Sequence, residues 1–116
     1  MGNQHTHIQI DTILQSAQRN GVLALPHKQL DTIPSSLFVK LAEKKVSIHE
    51  INLFRNHLDK IPEELFAFRS MFKNLKVLDL AMNRLFILPD NLSQFEALER
   101  LDLTGNKIHS VPSRLL

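Results

Sequence analysis

Apolar residues recur along this chain in a fixed figure. Leu98, Leu101, Leu103, Ile108, Val111 and Leu115 have the same spacing as Leu75, Leu78, Leu80, Leu85, Leu88 and Leu92, 23 residues earlier. Ile48, Ile51, Leu53, Leu58, Ile61 and Leu65 repeat it 27 residues before that. A fainter copy, Leu23, Leu25, Leu30, Ile33 and Leu37, lies a further 28 residues back. Two special positions travel with the figure. Asn56, Asn83 and Asn106 occupy one, with Lys28 at the equivalent place in the faint copy, and Pro34, Pro62, Pro89 and Pro112 occupy the other. Self-similarity at a period of 20 to 50 residues predicts stacked structural repeats, each too small to bury its own apolar face.

The spacing inside one copy predicts its elements. In Leu78-Asp79-Leu80 and Leu101-Asp102-Leu103 a period of two places both leucines on one face of a short strand and the aspartate on the other. A buried Asn at the following turn offers both an acceptor and a donor to the backbone. Asn56, Asn83 and Asn106 are therefore expected to form a structural ladder inside the stack. Proline then begins the outer segment, where a missing N–H costs little. Residues 66–74 make one outer segment four residues longer than its counterpart after Leu92. The extra length is expected to form a helical turn with Phe68 and Phe72 facing inward at i, i+4. Leu37 to Ile48 is similarly long.

Ahead of the first copy, Ile10, Ile13, Leu14 and Ala17 fall at i, i+3, i+4 and i+7, and Asn20-Gly21 supplies a stop. Residues 8–20 therefore read as a helix capping the first repeat, residues 1–7 as a flexible segment, and residues 21–116 as about four repeats. The last copy runs out at Leu116 with no polar cap after it, which raises the expectation of a truncated stack.

Composition narrows the chemistry. With 116 residues, 43% of them hydrophobic, the chain is the size of one globular domain. It has no Cys, so disulfide frameworks, Cys-zinc sites and palmitate attachment are excluded. A formal charge of +2 does not point to nucleic acid. No stretch resembles a secretory signal or a bilayer-spanning helix, so the expected compartment is intracellular, and the Asn91-Leu92-Ser93 sequon reads as chance. No phosphate-binding glycine loop, nucleophile elbow or zinc-protease motif is present, and the expectation is a non-enzyme without cofactor or metal. His5 and His7 lack further ligands at metal spacing, and His27, His49, His57 and His109 sit at variable positions of the repeats. Met1-Gly2-Asn3-Gln4-His5-Thr6 fits the N-myristoylation pattern, with Gly2 as acceptor. One such chain gives only marginal membrane affinity, and residues 3–18 hold no basic cluster to add to it.

The recurring L-x-x-L-x-L-x-x-N-x-L-x-x-L-P-x-x-L resembles the leucine-rich repeat superfamily. Met1-Gly2-Asn3, the Ala17–Val22 end of the first helix and Leu30-Asp31-Thr32-Ile33-Pro34 are similar to the short intracellular N-myristoylated members of that group. The resemblance implies a membrane-associated, non-catalytic protein acylated at Gly2. That group is about twice as long and carries a C-terminal tail, which again implies truncation.

The expected fold is therefore α/β: a solenoid with a curved parallel sheet on its concave side and an N-terminal capping helix. Period two nominates the outward residues of that sheet as a protein-binding face: Glu50, Asn52 and Phe54, then Val77, Asp79 and Ala81, then Arg100, Asp102 and Thr104. Phe54 and Val77 are the candidate apolar anchors, and the row Asn52–Asp79–Asp102 would favour a basic partner group. The expected function is a non-enzymatic protein-interaction module, reversibly tethered to membranes in the cytoplasm. The alternative is a regulatory subunit that docks an enzyme such as a phosphatase, a ubiquitin ligase or a small GTPase. No nucleic acid or small-molecule substrate is expected.

Overall fold

The computed structural model describes residues 9–113, so Gly2, His5, His7 and Leu115 lie outside the described part. Along the chain come helix α1 (Ile10–Asn20), strand β1 (Val22–Ala24), helix α2 (Ser35–Glu43) and strand β2 (Glu50–Asn52). They are followed by α3 (Glu64–Ala67), α4 (Arg69–Phe72), β3 (Val77–Asp79), a 3₁₀ turn (Asp90–Gln94) and β4 (Arg100–Asp102). The strands form one parallel sheet in the order β1-β2-β3-β4, so each copy of the figure contributes one strand next to the last. This is an α/β arrangement in which every crossover between parallel strands carries a helical segment.

Register follows the repeat. Leu23, Ile51, Leu78 and Leu101 stand side by side across the four strands. The first three are fully buried, and Leu25, Leu53 and Leu80 are buried two residues on. Burial of one such side chain stabilises the fold by roughly 1.5–3 kcal/mol. At the entry to each strand one carbonyl accepts two amides: Gly21 O takes the N–H of His49 and Glu50, His49 O takes Lys76 and Val77, and Lys76 O takes Glu99 and Arg100. The stack is thus tied by backbone before any side chain is considered.

Outer segments differ with their length. The long crossover after β1 has room for the nine-residue α2, which buries Leu37, Phe38 and Leu41. The short one after β3 closes with the 3₁₀ turn, the tighter helix used in short pieces, and buries Leu92. After β2 the expected single turn is broken in two. Phe68 sits between α3 and α4 with φ −93 and ψ 67, outside the helical region. Phe68 and Phe72 therefore do not form an i, i+4 pair on one helix. They still meet at Phe38, whose ring lies 6.1 Å from Phe68 and 6.2 Å from Phe72. The core needs both rings at one place, and the break at Phe68 is how the chain delivers them.

Helix α1 packs on β1 and α2 with Ile13, Leu14 and Ala17 buried. It ends at Gly21, which adopts φ 72 and donates its N–H to Ala17 O at 2.8 Å. Glycine takes this left-handed conformation without steric cost. Asn20 then accepts the Val22 N–H through Oδ1 at 3.0 Å and leads the chain into β1. No helix among the described residues is long and apolar enough to cross a membrane.

Candidate functional site

Three asparagines stitch the turns together from inside. Asn56 accepts the N–H of Lys28 and of Leu30 through Oδ1, both at 3.1 Å. Its Nδ2 donates to Leu25 O at 2.8 Å and to Leu53 O at 3.1 Å. Asn83 accepts from Leu58 N–H at 3.0 Å and donates to Leu53 O at 2.9 Å and Leu80 O at 3.1 Å. Asn106 accepts from Leu85 N–H at 2.9 Å and donates to Leu80 O at 2.9 Å and Leu103 O at 3.0 Å. Each amide thus bridges its own turn to the one before. Lys28, in the first turn, meets this network only through its backbone. These residues carry structure, with their amide groups engaged by backbone.

The residue just before each of these positions is in the left-handed region: His27 at φ 57, Arg55 at 59, Met82 at 60 and Gly105 at 76. Only the last is glycine. The bulky residues hold a conformation that costs an L-residue on the order of 1 kcal/mol, and the surrounding hydrogen bonds enforce it.

On the opposite face of the sheet from the buried leucines, the outward residues line up in rows. Val22, Glu50, Val77 and Arg100 share one register, and Ala24, Asn52, Asp79 and Asp102 share the next. Glu50, Asn52, Val77 and Asp79 are half-buried, whereas Arg100, Asp102 and Thr104 are exposed. Val22 and Ala24 extend the surface by one strand beyond the residues expected to face outward. Leu23 and Leu25 of the faint copy already marked them by alternation.

One expectation for this face needs correction. Ala81 is 5% exposed and offers nothing to a partner. It lies one residue beyond Leu80, where the chain leaves β3 and turns inward toward Asn83, so strict alternation no longer applies. The polar row makes local bonds of its own. Asn52 Oδ1 accepts the N–H of Phe54, Asp79 Oδ1 that of Ala81 and Asp102 Oδ1 that of Thr104, each at 3.0 Å. These are local side-chain-to-backbone turns of the type Asn and Asp favour. They end each strand, and they leave the second oxygen of Asp79 and Asp102 as the group a partner could meet. Hydrogen bonds from the Thr104 hydroxyl and N–H, aided by Arg100, hold the Asp102 carboxyl below its ordinary pKa.

Phe54 is half-buried between neighbours. His27 meets it edge-on with ring centroids 5.2 Å apart, and the Arg55 guanidinium lies 6.0 Å from its centre. Val77, in the row of Glu50 and Arg100, is likewise half-buried. Of the histidines, His27, His49 and His109 are exposed and His57 is half-buried. Among the described residues no three His, Asp or Glu gather as metal ligands. What remains on the sheet is a shallow face, apolar and acidic in patches, suited to contact with another chain.

Sequence comparison identifies the class. Residues 46–108 match the Leucine rich repeat family, and this chain belongs to it. It is 35% identical over 95 residues to the probable serine/threonine-protein kinase pats1 of Dictyostelium discoideum, covering 82% of this chain and 3% of that protein. It is 37% identical over 87 residues to leucine-rich repeats and immunoglobulin-like domains protein 3 of Homo sapiens, covering 74% of this chain and 7% of that one. An adenylate cyclase of Podospora anserina is 28% identical over 111 residues, covering 79% of this chain and 5% of the cyclase. The chain thus spans less than a tenth of each relative. A leucine-rich repeat domain suggests a protein-interaction module, and the exposed sheet face is the surface on which that reading rests.

Proposed function

We propose that this chain is a non-enzymatic protein-interaction module that docks its partner on the outward face of the sheet. The observation that carries the reading is the register of that face: Glu50, Val77 and Arg100 in one row, Asn52, Asp79 and Asp102 in the next. Such a surface, continuous across strands and lined by side chains of differing charge, gives specificity without a pocket. The arrangement is read as a solenoid, with α1 as its cap. Support comes from α1 burying Ile13, Leu14 and Ala17 at the β1 end of the sheet. The compartment proposed is cytoplasmic, at the membrane periphery, with Gly2 myristoylated as the reversible tether.

A second reading has its own support. Two of the similar proteins are named as a kinase and a cyclase, so repeats like these occur beside enzymes. On that reading the module docks an enzyme and modulates it.

The test uses tagged full-length chain expressed in eukaryotic cells. Partners are captured with the wild type and with Arg100→Glu/Asp102→Lys, which alters exposed side chains. Loss of capture supports the sheet face, and unchanged capture moves the site elsewhere. A captured enzyme whose rate changes on binding supports the second reading. Intact mass decides the tether, since a free Gly2 amine removes it.

A further inference from the structure

The turns that follow the strands form a rim, and its side chains are unlike those of the sheet face. The backbone places the residue after each ladder asparagine in a line. His57 donates its N–H to Leu30 O, Arg84 to Leu58 O and Lys107 to Leu85 O, one per turn. Adjacent turns in a parallel stack lie about 4.8 Å apart, so Arg84 and Lys107 are close neighbours. Arg55 precedes Asn56 on the same rim. Arg55, Arg84 and Lys107 are all exposed.

Between these turns lies an open cleft of about 400 Å³. Its lining includes His27, Arg55, His57 and Arg84 and contains no carboxylate. The amides of Asn56 and Asn83 at its floor are already committed to backbone carbonyls. The cleft therefore offers positive charge outward and no competing anion. Asp31 and Asp59 are carboxylates on the same rim, in the turns after β1 and β2; Asp59 holds in the β2 turn the place that Phe86 holds in the β3 turn.

The second feature is apolar. Directly after Arg84 and Leu85, Phe86 and Ile87 are 56% and 57% exposed. Two large apolar side chains standing in water beside a row of cations fit an amphipathic surface: charges for phosphates, rings and aliphatic groups for the acyl boundary. The shape agrees. A stacked rim presents one such side chain per turn, in a row that a lipid surface can meet.

We propose that this rim docks on an anionic membrane surface. Lipid phosphates sit against Arg55, Arg84 and Lys107, and Phe86 and Ile87 enter the interface. The proposal deepens the membrane part of the preceding reading, because a single acyl chain binds only marginally and requires a second attachment. It places that attachment on the folded domain, whereas residues 3–18 hold no basic cluster.

The experiment uses the full chain made without acylation, so the outcome does not depend on Gly2. Sedimentation is measured with vesicles of phosphatidylcholine alone and with phosphatidylserine or a phosphoinositide added. Binding to the anionic vesicles, absent from neutral ones and weakened by salt, is the expected result. Arg55→Ala with Arg84→Ala should lower the partition about twenty-five-fold, about five-fold for each charge lost near the surface. Phe86→Ser should lower it without changing the salt dependence. All three side chains are exposed or half-exposed, and circular dichroism confirms the fold of each variant. Three outcomes overturn the proposal: anionic vesicles left unbound, binding indifferent to the double substitution, or soluble inositol phosphate or polyglutamate captured while vesicles stay free. A free Gly2 amine would end the acyl tether and leave this result standing.

Discussion

Leu78 and Leu101 occupy the same register position in adjacent strands, yet one is fully buried and the other is 37% exposed. The same contrast separates Leu80 from Leu103, and Asn83 from Asn106, in each case buried against half-buried. The residues and the local backbone are the same in kind; the difference is a neighbour. Among the described residues the β3 turn has a turn on each side and the β4 turn has one. In a stacked repeat a leucine's contribution therefore belongs to the interface between turns as much as to its own turn.

The sharpest way to break that comparison is to truncate the two leucines. Leu78→Ala should cost about 3–4 kcal/mol, within the range for fully buried leucines, while Leu101→Ala should cost less than half as much. Urea denaturation of the two variants checks this, and equal losses would mean that burial by the neighbouring turn is not what matters. The asparagines sharpen it. Asn83→Ala strands Leu58 N–H inside the core and leaves the carbonyls of Leu53 and Leu80 with the Asn56 and Asn106 amides alone, for about 2–3 kcal/mol. Asn106→Ala frees Leu85 N–H and the Leu103 carbonyl near the half-buried Asn106, where water can replace part of the loss, and leaves Leu80 O to Asn83, so about 1 kcal/mol is expected. Hydrogen exchange at Leu58 and Leu85 N–H should rise in the respective variants.

How much of this could be read from the chain depends on range. Alternation and the 23- and 27-residue spacings placed Leu78, Leu80 and Asn83 because those positions obey a local period that the stack preserves. The family match over residues 46–108 rests on the same positions. Ala81 was misplaced because the period ends where the chain turns, one residue after Leu80. The break at Phe68 was hidden because nothing in its neighbours forbids a continuous helix; the demand comes from Phe38, thirty residues away. The local bonds of Asn52, Asp79 and Asp102 were within reach, since all three stand two residues before the amides they accept. The cationic rim was also present as spacing, with His57, Arg84 and Lys107 in phase with the asparagines. It goes unnoticed if the variable positions of a repeat are taken as mere surface.

Backbone conformation extends the comparison along the rim. Gly105 is left-handed at φ 76, and a Cβ there would run into the Met82 thioether. Gly105→Ala should destabilise by about 1–2 kcal/mol, part strain and part displacement of Met82. Pairing it with Met82→Ala separates the two, because the contact disappears and the strain stays. A double variant as unstable as the sum of the singles would show that the two turns do not touch through these residues.

The smallest expected effect lies on the strand ends, where Asn52 and Asp102 make the same bond to the amide two residues on, but only Asp102 titrates. Its pKa is lowered in the fold by the Thr104 hydroxyl and N–H, with help from Arg100. A carboxyl whose folded pKa lies below its unfolded value contributes stability that is fully present above the unfolded value. That contribution is lost as pH falls through the folded value. Asp102 is solvent-exposed, so the contribution is small and is best read at the residue itself. A carbon-detected NMR titration should give Asp102 a midpoint below that of an unstructured peptide. Thr104→Val, which keeps the backbone bond and removes the hydroxyl, should raise that midpoint partway. Asp102→Asn should keep the turn and remove its titration, making the β4 strand end behave as the Asn52 end already does. A midpoint indifferent to Thr104→Val would assign the shift to the backbone amide and Arg100 alone.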